Sequence, residues 1–202
     1  ALQRFVDACH ARGLGVCLDV VHNHLGPSGN YLSRFGPYFT DRHHTPWGEA
    51  VNLDAPEHEH VRAFVIDSAL RWLREFHLDA LRLDAVHALK DDSALAGDEP
   101  FLAQLSREVR ALGDELGRTV WVIGESDLND PRVITPRAHF GLDFDSQWAD
   151  DYHHSLHVLL TGESDGYYAG FSRKVSSLAR VLETGYLYVG QHSPYRGRKY
   201  GL

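Results

Sequence analysis

The sequence predicts an α/β fold, specifically part of a (β/α)8 TIM barrel that supplies about strands 3 to 6 with their helices. Three observations carry this. Short apolar runs alternate with amphipathic stretches on the order of 15 residues, the pattern of parallel strands joined by helical crossovers. Each run leads into polar residues: Asn23 and His24, Asp84 and His87, Glu125, then Asp150 and Asp151. In a (β/α)8 barrel that end of the strands is the active-site rim. A doubly wound sheet would share the rule, but no Gly-rich nucleotide loop follows any run.

Taken in order, Leu2, Phe5, Val6 and Cys9 mark the end of an amphipathic helix, which Arg12 and Gly13 close. Residues 14–21 (LGVCLDVV) read as a buried strand running into His22, Asn23 and His24. Residues 25–57 hold glycines, prolines and the aromatics Tyr31, Phe35, Tyr38, Phe39 and Trp47 without clear periodicity. They read as a long loop after strand 3, of a length that is usually functional. Its aromatics either pack the loop onto the body or stack on the apolar faces of a ligand such as a sugar. Val61, Phe64, Val65, Ala69, Trp72, Leu73 and Phe76 fall at steps of three and four and predict a helix over 58–76. In residues 78–87 (LDALRLDAVH), Leu78, Ala80, Leu81 and Leu83 read as a short buried strand that Arg82 and Asp84 interrupt. After an irregular stretch to Pro100, Phe101, Leu105, Val109, Leu112 and Leu116 predict a helix that Gly117 ends. Residues 119–124 (TVWVIG) are a strand ending in Glu125, and 140–148 (FGLDFDSQW) a fourth. Helices are expected over 149–160 and 171–183, and a fifth strand over 186–189.

With 202 residues, 43% hydrophobic and 11% aromatic, the chain can bury a substantial core as one domain or part of a larger one. A net charge of −8 and a pI near 5.9 argue against nucleic acid or an anionic membrane as partner, since no basic stripe is present to displace counterions. The Arg-Gly-Arg-Lys at 196–199 is too short to count. Cys9 and Cys17 read as small buried hydrophobes, not a disulfide framework or zinc site, which leans intracellular. No apolar run reaches transmembrane length, so the chain reads as soluble. There is no methionine, and the chain begins inside a helical pattern; a section of a longer protein is expected, and missing targeting signals carry no information.

The chemistry centres on Asp84. A guanidinium beside a buried carboxylate offsets part of the desolvation that would neutralise it, so Asp84 reads as ionised next to Arg82. Alone, the pair could be a structural ion pair at a strand end. If the strands ending in Asp84 and Glu125 are neighbours, their axes lie ~4.8 Å apart. The carboxyl groups can then stand about 5–5.5 Å apart, the separation used by retaining glycosidases. Of two close carboxylates, the one without a cationic neighbour holds the proton. That makes Asp84 the nucleophile and Glu125 the general acid/base, although Glu125 alone could be a strand-end helix cap. His22 and His24 have metal-ligand spacing but no third ligand, so no metal site is assigned.

DVVHNH (19–24), LRLDAVH (81–87) and VIGES (122–126), in that order on successive strands, resemble the first three motifs of the α-amylase superfamily of retaining α-glucoside hydrolases and transferases. RHHTPWGEAVN (42–52), His87, DSQWADDYHHSLHVLLTGE (145–163) and YRGRKYG (195–201) are similar to its trehalose-releasing branch. The resemblance implies hydrolysis of the α-1,4 bond next to the terminal trehalose of maltooligosyltrehalose, with retention and without a cofactor. It implies Asp84 as nucleophile, Glu125 as proton donor and Arg82 orienting Asp84. Asp19, Asn23 and His24 would contact or support the sugar, while His87, with Leu83, Ala85 and Val86 around the nucleophile, would line the pocket. Asp150, Asp151, Tyr152, His153 and His154 would meet substrate nearby; read from spacing alone, His153, His154 and His157 are a polar helix face. The resemblance also implies a cytoplasmic protein coupled to a maltooligosyltrehalose synthase.

Two departures stand out. Ala80 replaces the usual glycine before the second motif's Leu-Arg, which a parallel strand should accept. The fourth family motif, whose Asp braces the transition state, is absent from these 202 residues. Four or five strands cannot close an eight-stranded barrel, so the 202 residues alone are expected to be inactive. Two other readings stay open: a glycogen branching or debranching enzyme, and a non-catalytic glucan-binding module. Calcium is undecided, since no Asp-rich loop of the EF-hand type is present.

Overall fold

The computed structural model describes residues 1–26 and 28–201; Pro27, within the expected 25–57 loop, and Leu202 at the chain end lie outside them. The chain divides into two compact units, residues 1–124 with 132–146, and residues 125–131 with 147–202.

The first unit begins with α1 (Leu2–His10) and β1 (Cys17–Val20), followed by an antiparallel hairpin of β2 (Phe39–Thr45) and β3 (Gly48–Val51). Then come α2 (His58–Glu75), β4 (Ala80–Leu83), the single turn α3 (Ser93–Ala96), α4 (Phe101–Leu116) and β5 (Trp121–Ser126), whose last two residues belong to the second unit. β4 pairs in parallel with β1, Cys17 to Val20 facing Ala80 to Leu83, and with β5, Ala80 to Leu83 facing Trp121 to Gly124. The strand order is β1-β4-β5-β6, with β6 at Ser146–Ala149. Ala80 thus takes a regular place in β4.

Side-chain alternation explains how β4 serves two masters. Leu81 and Leu83 are buried in the core with Val61, Val65 and Leu73 of α2, Phe101, Leu105 and Val109 of α4, and Val122 of β5. Arg82, between the two leucines, points to the other face. Each such leucine contributes about 1.5–3 kcal/mol by burial. The core therefore fixes the strand whose opposite face carries charge.

Four expectations need correction. Residues 25–57 are not one irregular loop: they contain a 3-10 turn at Leu32–Arg34 and the β2–β3 hairpin. Its turn is stabilised by Thr45 Oγ1, which accepts from Trp47 N at 3.2 Å and donates to Gly48 O at 3.1 Å. The strand expected over 140–148 begins only at Ser146. Phe140 is 95% exposed with φ +61°, at the end of a 3-10 turn. A side chain on the next residue, Gly141, would collide with Thr135 O. Cys17 is exposed, because β1 is the edge strand of the described sheet; Cys9 is half-buried, and both thiols are free.

The fourth correction lies in the second unit, which contains α5 (Asp150–Thr161), α6 (Val175–Thr184) and a small antiparallel pair, β7 (His192–Ser193) and β8 (Arg198–Lys199). No strand forms over 186–189. The Leu187 and Tyr188 backbone N–H groups donate to Asp151 Oδ2, at 2.7 and 3.0 Å, and so are not available to a ladder. Among the described residues no helix is long and apolar enough to cross a membrane.

Candidate active site

In the first unit Asp84 follows β4 directly, and both of its carboxylate oxygens are occupied. Arg82 Nη1 donates to Asp84 Oδ1 at 2.9 Å and to Asp19 Oδ1 at 2.8 Å. Arg82 and Asp84 share a face because they are two residues apart in extended chain, and Asp19 is the register partner of Arg82 on β1. From the end of β1, Asn23 Nδ2 donates to Asp84 Oδ2 at 3.0 Å and to the Asp84 carbonyl at 2.7 Å. Asn23 is fully buried. Its own Oδ1 accepts from His24 Nδ1, and the His24 ring stacks on Trp47, centroids 4.3 Å apart and planes 10° off parallel. The result is a chain of contacts from the hairpin tip through His24 and Asn23 to the carboxylate.

The chain turns sharply after Asp84. Ala85 adopts φ +40°, a left-handed backbone conformation that an alanine holds only at a cost. A 3-10 turn at Val86–Ala88 follows, with His87 half-buried on it. Leu83, Ala85 and Val86 are themselves buried, so they shape the turn from beneath. Next to the motif, His22 is half-buried and its imidazole is pulled down to about 4 by desolvation.

Leu83, the last residue of β4, faces Gly124 of β5; Asp84 follows Leu83 in the chain, and Glu125 is the next residue of β5. Gly124 has no room for a side chain: a Cβ there would lie 3.0 Å from the Phe144 ring and 3.2 Å from Val133.

The second unit gathers carboxylates around Glu125. Asp150, the first residue of α5, makes a side-chain hydrogen bond to it. Burial, that hydrogen bond, and the charges of Glu125, Asp127 and Asp151 push the Asp150 carboxyl up to about 8. The group pushed toward its neutral form is thus Asp150, a residue the sequence reading placed only among the substrate contacts. The cause is a contact between residues far apart in the chain. Asp151 is 2% exposed and its Oδ2 accepts from Asn129 Nδ2 as well as from the two backbone groups already named, so it frames the loop from within.

Along α5, Tyr152 and His153 are exposed, the two substrate candidates there with open surface. His154 is buried against the rings of Tyr167, Tyr168 and Phe171. Burial, then His153, Arg196 and His157, pull its imidazole down to about 4. His157 stacks on Tyr168 and bonds Glu163 at 2.7 Å. Arg196, from the basic run near the C-terminus, bonds Asp127 Oδ2 at 3.0 Å and lies 3.8 Å over the Tyr200 ring. Trp47, Asn129 and Arg196 take positions that no spacing rule would have assigned, because each acts across a distant contact.

Among the described residues one trio, His43, Asp54 and Asp92, brings ligand-type atoms within 4.8 Å of one another. Arg42 stands 3.7 Å from Asp54 and 3.8 Å from Asp92. That guanidinium already supplies the positive charge a cation would bring, so the trio reads as an ion-pair cluster bracing the hairpin.

No protein-family model matches the sequence. A Salmonella typhimurium crystal structure of a candidate alpha amylase superposes with a TM-score of 0.85 at 36% identity, over 100% of this chain and 33% of that one. Together with the parallel sheet, this defines the class of fold: over its whole length the chain resembles a section of an α-amylase-type protein, and it has the architecture of part of a (β/α)8 barrel. Within that class the likeness is to malto-oligosyltrehalose trehalohydrolase. The Rhizobium sp. (strain M-11) protein of that name is 50% identical over 201 residues, 100% of this chain and 33% of the relative. A 1,4-alpha-glucan branching enzyme from Bacillus caldolyticus is 33% identical over 71% of the chain. The chain spans about a third of the length of the curated relatives it matches.

Proposed function

We propose that the full-length protein is a retaining glycoside hydrolase that cleaves the α-1,4 bond next to the terminal trehalose of maltooligosyltrehalose. The observation that carries this reading is the clamp on Asp84, held on one oxygen by Arg82 and on the other by Asn23. A nucleophile must be aimed before substrate arrives, and two charge-assisted donors on one carboxylate do that. In this reading Asp84 attacks the anomeric carbon while Glu125 protonates the departing oxygen, and Glu125 then takes a proton from the water that releases the sugar. In this reading Asp19, His24 and His87 of the first unit, and Tyr152 and His153 of the second, hydrogen-bond substrate hydroxyls. A synthase that builds the trehalose end is the expected functional partner, in the cytoplasm.

A branching enzyme is the second reading. It is disfavoured by lower identity over a shorter stretch, 33% over 71% of the chain against 50% over all of it. Product analysis of the full-length protein on maltotriosyltrehalose separates the readings. The wild type should release trehalose and Asp84→Asn should lose this by orders of magnitude. New branch points without trehalose would transfer the assignment to branching chemistry. Binding without any product, unaffected by Asp84→Asn, would leave a glucan-binding module.

A further inference from the structure

We propose that Asp150 is the positioning residue of the acid/base: Asp150 and Glu125 carry one proton between them, and this is the proton that reaches the departing oxygen. The inference rests on the reading of Glu125 given above. It begins from geometry. The Asp150 side chain is 14% exposed, its Oδ1 is buried without a hydrogen-bond partner, and its other bond is to a second carboxyl group. A hydrogen bond between two carboxyl groups requires a proton on one of them. A buried, bare oxygen is tolerable on a neutral acid and costly on an anion.

The surroundings keep that proton in place. Facing Asp150 are Glu125 and Asp127 from β5 and the loop after it, Asp151 and His153 from α5, and Tyr200 beyond β8. His153 Nδ1 is 3.9 Å from Asp150 Oδ1, yet burial pulls its imidazole below the ordinary range, outweighing Glu125. Arg196 is committed to Asp127 at 3.0 Å and to Tyr200. Negative charge therefore dominates, and the second ionisation of the pair is deferred to about 8, the value reached by Asp150. A general acid that must be protonated at neutral pH gains from this arrangement.

The proton balance closes over one turnover. In the first step the Asp84 carboxylate forms a bond to the anomeric carbon, the glycosidic C–O bond breaks, and the pair gives its proton through Glu125 to the leaving oxygen. In the second step water forms the new C–O bond, the Asp84 ester bond breaks, and the water proton returns through Glu125 to the pair.

The test compares full-length wild type with Asp150→Asn on maltotriosyltrehalose and on α-maltosyl fluoride, whose leaving group needs no proton. Removing the like charge should move the basic limb of kcat/KM for the glucan toward acid by about one pH unit or more, and lower the rate above that limb about tenfold per unit. The kcat/KM for the fluoride, which ends at formation of the glycosyl-enzyme and needs no proton donor, should show no acid-shifted basic limb in Asp150→Asn. Superimposable pH profiles, or equal losses on both substrates, would overturn the proposal. If the wild type turns over neither substrate, the functional reading fails and infrared difference spectroscopy decides the proton alone. A neutral carboxyl band at pH 7 that disappears in Asp150→Asn upholds the shared proton, and its absence from the wild type rejects it.

Discussion

Asp150 occupies a position where two electrostatic effects oppose each other. The first turn of α5 favours an anion by about 0.3–1 kcal/mol through the helix dipole. Burial and neighbouring carboxylates act the other way and raise the group from 3.8 to about 8. At about 1.36 kcal/mol per pKa unit, the second effect wins by a wide margin. The consequence for stability follows from linkage. Below 3.8 both folded and unfolded chains hold the proton and the folded state is at its most stable with respect to this group. Between 3.8 and about 8 only the folded chain holds it, so stability falls as pH rises through that window and is level above it. Asp150→Asn in the full-length protein should therefore raise the Tm at pH 7–8 by about 2–4 °C and flatten its decline with pH. A Tm equal to or below wild type, with the same slope, would contradict this. The Arg82–Asp84 contact was legible in sequence, because residues two apart on a strand share a face. The Asp150–Glu125 contact was not, since it joins elements that only the fold brings together.

Among the elements, α2 illustrates how a correct periodicity hides a second function. Its apolar positions predict the helix and its buried face, yet Arg62 lies in that face, 6% exposed. Its guanidinium donates to Leu53 O, Glu99 O, Gln104 Oε1, Asp91 Oδ2 and Ser93 Oγ, so one side chain ties the irregular stretch after β4 to the helix. Asp91 in turn accepts from the Phe101 backbone N–H at the start of α4. Arg62→Met should cost about 3–5 kcal/mol, because it strands a buried carboxylate and several carbonyls. Chemical denaturation checks this, and a loss below about 1 kcal/mol would show that the stretch folds without the arginine. The helices, β4 and β5 were readable because each has one buried face and a clean period. The β2–β3 hairpin was not, since a register shift between Thr40 and His44 breaks its alternation. The expected strand at 186–189 had the right composition, but Asp151 captures its backbone donors.

For the molecule as a whole, the residues proposed to carry the chemistry cluster at the C-terminal ends of the parallel strands. Asp19 and Glu125 are the penultimate residues of β1 and β5, Asp84 directly follows β4, and Asn23 lies just beyond β1. The chain contributes about a third of the length of its trehalohydrolase relatives, so the decisive measurement belongs to the full-length protein. The acid/base variant Glu125→Gln, incubated with α-maltosyl fluoride, can load the nucleophile without protonating a leaving group but is slow to release it. Digestion and mass spectrometry of that reaction should find a maltosyl adduct on the peptide that contains Asp84. Fluoride turnover with no adduct, or an adduct on any other residue, would contradict the assignment of Asp84 as nucleophile and with it the retaining mechanism.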